Sequence, residues 1–238
     1  MNGIDNKAVL FDKDGTLIEY NTIWPDAVRK MIPLFRAQFS VKDDITDRDI
    51  LRNLGLENYK VNDSSAIASG TTRDIAHVLT SALDNNDEDV LPFVQNYFYQ
   101  YTVEKKEQIL SIGNVNRLFM RLKAEGFTIG IVTADDYHST VFTMKHLEIE
   151  HMIDFLATGD RYPAKPATDA MESFICESQI PAERILFVGD SVVDMQFGKH
   201  CRKGIAVLSG VGEEKHLRQY TDAVYPTIHD IPYEHYFD

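Results

Sequence analysis

The stretch VLFDKDGTL, residues 9–17, decides the fold of this chain. Its apolar start predicts a short buried strand, which ends in Asp12 and Asp14 before the chain turns at Gly15. A buried carboxylate costs free energy unless a cation or hydrogen-bond donors compensate it. The two acids therefore predict a compensating group, either from elsewhere in the chain or from a ligand.

Composition limits the class of protein. The 238 residues are 44% hydrophobic and 26% charged, which is typical of a globular protein with one large domain or a core and a smaller inserted domain. No apolar run approaches the roughly 20 residues that span a bilayer, and no signal-peptide pattern opens the chain, so we expect a cytoplasmic protein without a membrane partner. Cys176 and Cys201 form no disulfide framework, as expected in a reducing compartment.

The charge balance limits the partners. A formal net charge of −13 argues against a nucleic-acid partner, which would need a basic face. An anionic substrate would have to be attracted by a local positive site or a bound cation. We expect a monomer or homodimer that acts on a small molecule.

In residues 19–105 the apolar residues recur with the spacing of helices. Val28, Met31, Ile32 and Phe35 recur at helical spacing, and similar patterns predict three further helices without a strand between them. We therefore predict an all-helical cap domain over 19–105, inserted into a core domain over 1–18 and 106–238.

The core residues alternate between strands and helices. After the first strand, the predicted strands are 127–133, 155–158, 184–190, 204–208 and 223–228. Strands that alternate with helices indicate a doubly wound parallel sheet, because parallel neighbours need crossover connections. The predicted fold class is α/β, a Rossmann-like core with an inserted helical cap.

Polar residues follow several of these strands. In order along the chain they are Asp12 and Asp14, then Thr133, then Lys165, then Asp190 and Asp194. Ala134, which follows Thr133, is a further predicted phosphate-binding position. Ligands of open α/β sheets bind beyond the carboxyl ends of the strands. We therefore expect these residues at one edge of the sheet.

The chemistry of this set is coherent. Asp12 and Asp190 offer the hard oxygen ligands that Mg²⁺ prefers, and a carboxylate can also attack phosphorus as a nucleophile. Asp14 would exchange protons with the leaving group and with water. Backbone amides at Gly15, with the Thr133 hydroxyl, would hold phosphate oxygens. The Lys165 ammonium would contact the same oxygens and offset their negative charge.

Four motifs occur in a fixed order: DKDGT at 12–16, Thr133 at a strand end, KP at 165–166 and GDSVVD at 189–194. They resemble the four motifs of the haloacid dehalogenase superfamily, and the resemblance covers nearly the whole chain. The helical insert resembles the cap of the phosphoglycolate-phosphatase-like branch. This resemblance implies that Asp12 is the nucleophile and Asp14 the general acid and base.

The same resemblance implies a Mg²⁺ site. Its ligands would be the Asp12 side chain, the backbone carbonyl of Asp14 and the Asp190 side chain, with Asp194 supporting the water shell. Two positions depart from the family pattern. Ala134 stands where Asn is common, so the family's substrate contacts beyond the phosphate do not carry over. Lys13 stands where an apolar residue is commoner, and it would either add positive charge near the site or point away from it.

Other interpretations of these motifs are weaker. A calcium loop would need Gly at its sixth and Glu at its twelfth position, whereas Ile23 stands twelfth here. Ser191 lacks the GxSxG context of a hydrolase nucleophile. The favoured prediction is a Mg²⁺-dependent phosphatase acting on a small phosphorylated metabolite, phosphoglycolate-like or sugar-phosphate-like. A phosphosugar mutase similar to β-phosphoglucomutase and a non-catalytic phospho-ligand binder remain open alternatives.

The leaving group still needs a partner, because the core residues are committed to phosphate and metal. Arg73 follows GTT at a predicted helix start in the cap, and we predict that it contacts the substrate and sets specificity. Tyr20, Trp24 and the 134–137 loop are the next candidates.

Overall fold

The computed structural model describes residues 6–58, 60–63 and 65–237. Its centre is a six-stranded parallel sheet in the order β5-β4-β1-β6-β7-β8, and β2 and β3 form a separate antiparallel pair. The strands are β1 (Lys7–Phe11), β2 (Leu56–Glu57), β3 (Lys60–Val61), β4 (Phe127–Val132), β5 (Phe155–Ala157), β6 (Ile185–Gly189), β7 (Lys203–Val207) and β8 (Val224–Tyr225). The sheet confirms the predicted α/β class.

Helices connect the parallel strands. They are α1 (Trp24–Gln38), α2 (Asp47–Leu54), α3 (Ala66–Ser69), α4 (Thr72–Ser81), α5 (Leu91–Glu104), α6 (Val115–Ala124), α7 (Tyr137–His146), α8 (Asp169–Ser178), α9 (Val192–Gly198) and α10 (Glu214–Leu217). Among the described residues, no helix combines the length and the apolar character that crossing a membrane requires.

Strand β1 occupies the centre of the sheet. It pairs in parallel with β4 on one side and β6 on the other, and its last four residues have no solvent exposure. A parallel strand covered on both faces is apolar throughout, which explains the run that precedes Asp12. The strand order reverses between β1 and β6, and ligands of such sheets bind at this point, beyond the carboxyl ends.

Helices α1–α5 lie between β1 and β4 in the chain. They share an apolar cluster of their own, with Met31, Phe35 and Leu79 fully buried in it. The short β2–β3 pair lies in the same segment, so the prediction that no strand interrupts these helices was wrong. Strands of two residues are too short for hydrophobic periodicity to predict. We call residues 19–105 the insert; its boundaries as a domain remain a prediction.

Candidate active site

Two of the predicted acids, Asp12 and Asp190, lie where the strand order of the sheet reverses. Asp12 follows β1, and its backbone amide donates to the carbonyl of Val188 in β6 at 2.8 Å. Asp190 follows β6 directly. The parallel pairing of these two strands therefore places both carboxylates beyond the same edge, as the spacing in the sequence predicts.

A buried acidic cluster lies at this edge. Carboxylate oxygens of Asp12, Asp190 and Asp194 all lie within 4.8 Å of one another. Lys165 Nζ contacts Asp12 Oδ1 at 2.6 Å and Asp194 Oδ1 at 2.7 Å, and it also donates to the carbonyl of Val132 at 3.0 Å. The lysine follows β5, so residues that follow three different strands meet here.

Asp194 is fixed by the first turn of α9. Its Oδ2 accepts hydrogen bonds from the Ser191 amide at 3.0 Å and from the Ser191 hydroxyl at 2.6 Å, while the same hydroxyl accepts from the Asp194 amide. This reciprocal capping box satisfies donors at the start of the helix. Ser191 therefore acts as a helix cap, and Asp194 is both a first-turn acid and a member of the acidic cluster.

Asp190 is held by the loops around it. Its Oδ2 accepts from the Val211 amide at 2.8 Å, and the Thr16 hydroxyl donates to its Oδ1 at 3.3 Å. Gly15 has a φ of +80°, and a Cβ there would lie 2.6 Å from Asp190 Oδ2, so only glycine fits. The Gly15 amide donates to the Ile18 carbonyl at 2.7 Å instead of facing the site. In this conformation the amide already has a partner, and its predicted phosphate contact stays a prediction.

The charges of this cluster fit a divalent cation. Burial raises the pKa of Asp12 to about 7, and the negative charge of Asp194 adds to that effect while Lys165 opposes it. Burial and the neighbouring carboxylates raise the pKa of Asp190 well above its usual range. Three buried carboxylates against one lysine leave a formal charge of −2 when all are ionised. A hard divalent cation with oxygen ligands would balance this charge.

Asp14 belongs to a second, separate network. Lys13 is fully buried, and its Nζ lies 2.7 Å from Asp14 Oδ2 and 3.2 Å from Asp135 Oδ2. The indole N–H of Trp24 donates to the other oxygen of Asp14. Burial alone would lower the pKa of Lys13, but the two carboxylates outweigh it and raise the value. Lys13, where an apolar residue was expected, thus joins the predicted acid and base to the 134–137 loop.

A cavity opens between the acidic cluster and the insert. Its wall on the core side includes all the predicted core residues except Gly15, namely Asp12, Asp14, Thr133, Ala134, Lys165, Asp190 and Asp194. The Thr133 hydroxyl accepts from the Asp135 amide at 3.1 Å, which leaves its own proton for a bound group. On the insert side the wall includes Tyr20, Trp24, Ile67, Ser69, Thr72 and Phe98.

Arg73 is not part of this wall. It is exposed at the second position of α4, whereas its neighbour Thr72 is buried and lines the cavity. Successive residues of a helix point about 100° apart, so the two side chains face different directions. Arg73 does not line the cavity in this conformation, and its contact with the substrate stays a prediction.

Thr72 joins the insert to the core. Its hydroxyl donates to Asp136 Oδ1 at 2.9 Å, and both residues are buried. Burial raises the pKa of Asp136 to about 6, although the Thr72 hydrogen bond opposes the shift. The folded protein therefore binds this proton more tightly than the unfolded chain does. It follows that Asp136 contributes less to the free energy of unfolding as the pH rises from about 4 to about 6.

Replacing Asp136 by asparagine should remove this dependence. We expect Asp136→Asn to gain stability relative to the parent protein as the pH rises from about 4.5 to 7, measured by urea unfolding at several pH values. Asp49→Asn is the matched control, because the Thr46 hydrogen bonds lower the pKa of Asp49. Its stability difference from the parent protein should stay nearly constant above about pH 4.5 and should change, with the opposite sign, only at lower pH. A stability difference for Asp136→Asn that is constant with pH would contradict the assignment.

Comparison with known proteins identifies the family. Residues 6–202 match the family model of haloacid dehalogenase-like hydrolases. The chain therefore belongs to the haloacid dehalogenase-like hydrolases, which confirms the resemblance seen in its four motifs.

Individual relatives are distant. A phosphoglycolate phosphatase of Psychrobacter arcticus is 23% identical over 220 residues, which cover 91% of this chain and 89% of the relative. A predicted phosphoglycolate phosphatase of Haemophilus somnus superposes with a TM-score of 0.68 at 17% identity, over 95% of this chain and 96% of its own. A β-phosphoglucomutase of Clostridium difficile superposes with a TM-score of 0.65 at 15% identity, over 97% and 95%. The family and the curated relative together support a phosphatase activity.

Proposed function

We propose that this protein is a Mg²⁺-dependent phosphatase that hydrolyses a small phosphorylated metabolite through an aspartyl-phosphate on Asp12. The observation that carries the proposal is the buried cluster of Asp12, Asp190 and Asp194 with Lys165, which opens into a cavity shared with Asp14 and Thr133. The residues predicted to act as nucleophile, proton donor, phosphate-binding hydroxyl and metal ligands all line this one cavity, which supports the proposal.

The chain's own residues would carry out two displacements. An oxygen of Asp12 attacks phosphorus and the bond to the leaving oxygen breaks, while Asp14 gives that oxygen a proton. In the second step Asp14 takes a proton from water as the water oxygen attacks phosphorus, which releases inorganic phosphate and restores Asp12. The Thr133 hydroxyl and the Lys165 ammonium would hold phosphoryl oxygens during both steps. Trp24 and Lys13 each contact a different carboxylate oxygen of Asp14 and would orient it.

Asp12, Asp190 and Asp194 would hold the metal, with the backbone carbonyl of Asp14 as a further predicted ligand. Bound Mg²⁺ would supply positive charge that offsets both the carboxylates and the charge on the phosphoryl oxygens. The insert would close over the substrate and exclude water, which is the usual effect of such a segment in hydrolysis.

Metal removal provides the direct test of this function. We expect hydrolysis of p-nitrophenyl phosphate to stop in EDTA, to return with excess Mg²⁺ and to be inhibited by Ca²⁺, because calcium takes more oxygen ligands at longer distances. Release of phosphate and of p-nitrophenol would be followed in parallel. Full activity in a chelated and dialysed sample would contradict the metal assignment.

The same assay separates the alternatives. A protein that binds phosphate esters without hydrolysing any of them at any Mg²⁺ concentration would be a binder. A mutase would interconvert phosphosugars and depend on a bisphosphate cofactor, because its phosphoenzyme must survive the exchange of intermediates. Hydrolysis that needs no bisphosphate would support the phosphatase.

A further inference from the structure

The part of the cavity wall formed by the insert carries no charge. Within the described part of the chain, none of the insert residues that line the cavity is Asp, Glu, Lys, Arg or His. The two insert residues outside the described set are a tyrosine and a serine, residues 59 and 64, so neither is a basic residue. The wall opposite the acidic cluster is therefore built from aromatic, aliphatic and hydroxyl groups.

Most polar groups of this wall already have partners. The Tyr20 hydroxyl donates to the Ile67 carbonyl, the Trp24 indole to Asp14 and the Thr72 hydroxyl to Asp136. The amides of Ser69 and Gly70 are bonded within α3 and its end. Among the described lining residues of the insert, the Ser69 hydroxyl is the one polar side-chain group without a hydrogen-bond partner.

The core side offers no spare cation either. Lys165 is the one basic residue among the described lining residues, and Asp12 and Asp194 hold it at the phosphate end. Lys13 is fully buried between Asp14 and Asp135 and does not line the cavity. A second anionic group on the substrate would lose its water without gaining a cation, which is costly in a buried site.

We propose, as an extension of the phosphatase function, that the substrate is a phosphate monoester of a neutral alcohol. Its leaving group packs on Trp24, Ile67 and Phe98 and accepts or donates one hydrogen bond at Ser69. The phosphoryl group is the only anionic part that the site accommodates. Leaving groups with a carboxylate, such as glycolate, or with a second phosphate are selected against.

Matched substrate pairs test this selection. 2-Phosphoglycolate and 2-hydroxyethyl phosphate differ only by a carboxylate in place of a hydroxymethyl group, and 4-carboxyphenyl phosphate and phenyl phosphate form an aromatic pair. We expect kcat/KM with Mg²⁺ to be at least about 10-fold higher for the neutral member, the scale of an unpaired charged group. Equal or better turnover of the charged member in either hydrolysed pair would overturn the inference.

The outcome for the function itself is separate. If p-nitrophenyl phosphate and all four esters resist hydrolysis with Mg²⁺ present, the phosphatase function fails and the inference fails with it. If p-nitrophenyl phosphate is hydrolysed but the charged esters are preferred, the function stands and only the inference fails.

A cation placed in the wall should weaken the preference for the neutral ester. We expect Ser69→Lys to raise the ratio of charged to neutral ester turnover by about 10-fold relative to Ser69→Met, which has similar bulk without charge. An unchanged ratio would contradict the placement of the leaving group at this wall.

The variant Arg73→Ala tests whether the Arg73 guanidinium supplies a cation to the substrate. If Arg73 supplies a cation when the insert moves, this variant loses turnover of the charged esters selectively, and the inference is overturned. The uncharged wall instead predicts that the ratio between the two members of each pair is the same in Arg73→Ala and in the parent protein.

Discussion

Replacing Asp12 by asparagine is expected to lower kcat for any phosphate monoester by roughly 10⁴-fold or more, the scale on which enzymes lose rate with their nucleophile. An amide oxygen is a poor nucleophile and a weaker ligand for a cation than a carboxylate. The fold should persist, because the Asp12 backbone amide still donates to Val188 and β1 is unchanged. Circular dichroism and single-turnover assays with Mg²⁺ would check both expectations.

Asp87→Asn is the matched control, because it makes the same chemical change at an exposed position that does not line the cavity. Its kcat should equal that of the parent protein. Intact mass should be measured on Asp12→Asn to exclude conversion of the new amide back to aspartate. Near-normal turnover of a homogeneous Asp12→Asn sample would contradict the covalent mechanism.

Replacing Lys13 by methionine is expected to have the largest effect on stability. It leaves Asp14 and Asp135 without the buried cation that both contact, and breaking a buried ion pair from one side typically costs about 3–5 kcal/mol. Because Lys13 also orients Asp14, kcat should fall by about 10²-fold or more, within the range of general acid–base catalysis. Urea unfolding and steady-state kinetics would measure the two effects.

Two further variants separate charge from packing. Lys13→Met combined with Asp135→Asn removes one of the two unpaired charges, so it should recover part of the lost stability. Lys30→Met removes an exposed lysine that pairs with Asp26, and such pairs are worth less than about 1 kcal/mol. If Lys13→Met costs no more than Lys30→Met, the buried network does not stabilise the fold.

Strand-end chemistry made much of the site predictable. Asp12, Asp190 and Lys165 each follow a strand of one parallel sheet. The carboxyl ends of such strands lie at one edge of the sheet, and this does not depend on the conformation of the loops. The apolar run of β1 and the alternation of helices and strands were sufficient for the α/β class. These features depend on local periodicity and on the rules of parallel sheets, both of which a single sequence carries.

The remaining features depend on contacts between distant segments. Lys13 is buried because Asp135, which follows another strand, lies beside it, and nothing local to DKDG indicates that contact. The predicted specificity residue, Arg73, is one position away from Thr72, which lines the cavity. Packing between distant segments decides which face of a helix points into a cavity, and the sequence of the helix does not show it. Apart from Tyr20 and Trp24, the sequence does not predict the uncharged wall of the insert, because its hydrophobic spacing is equally typical of an ordinary helix core.

Trp24 has a consequence for experiments on this protein. It is the only tryptophan in the chain, it lines the cavity, its indole N–H binds Asp14, and the Lys13 ammonium lies 5.2 Å from its ring centroid. Indole emission responds to nearby charge and to contact with water. Fluorescence excited selectively in the tryptophan therefore reports on one side chain, which contacts the predicted general acid and base, Asp14. Metal titration, ligand entry and movement of α1 can thus be followed optically without an attached dye.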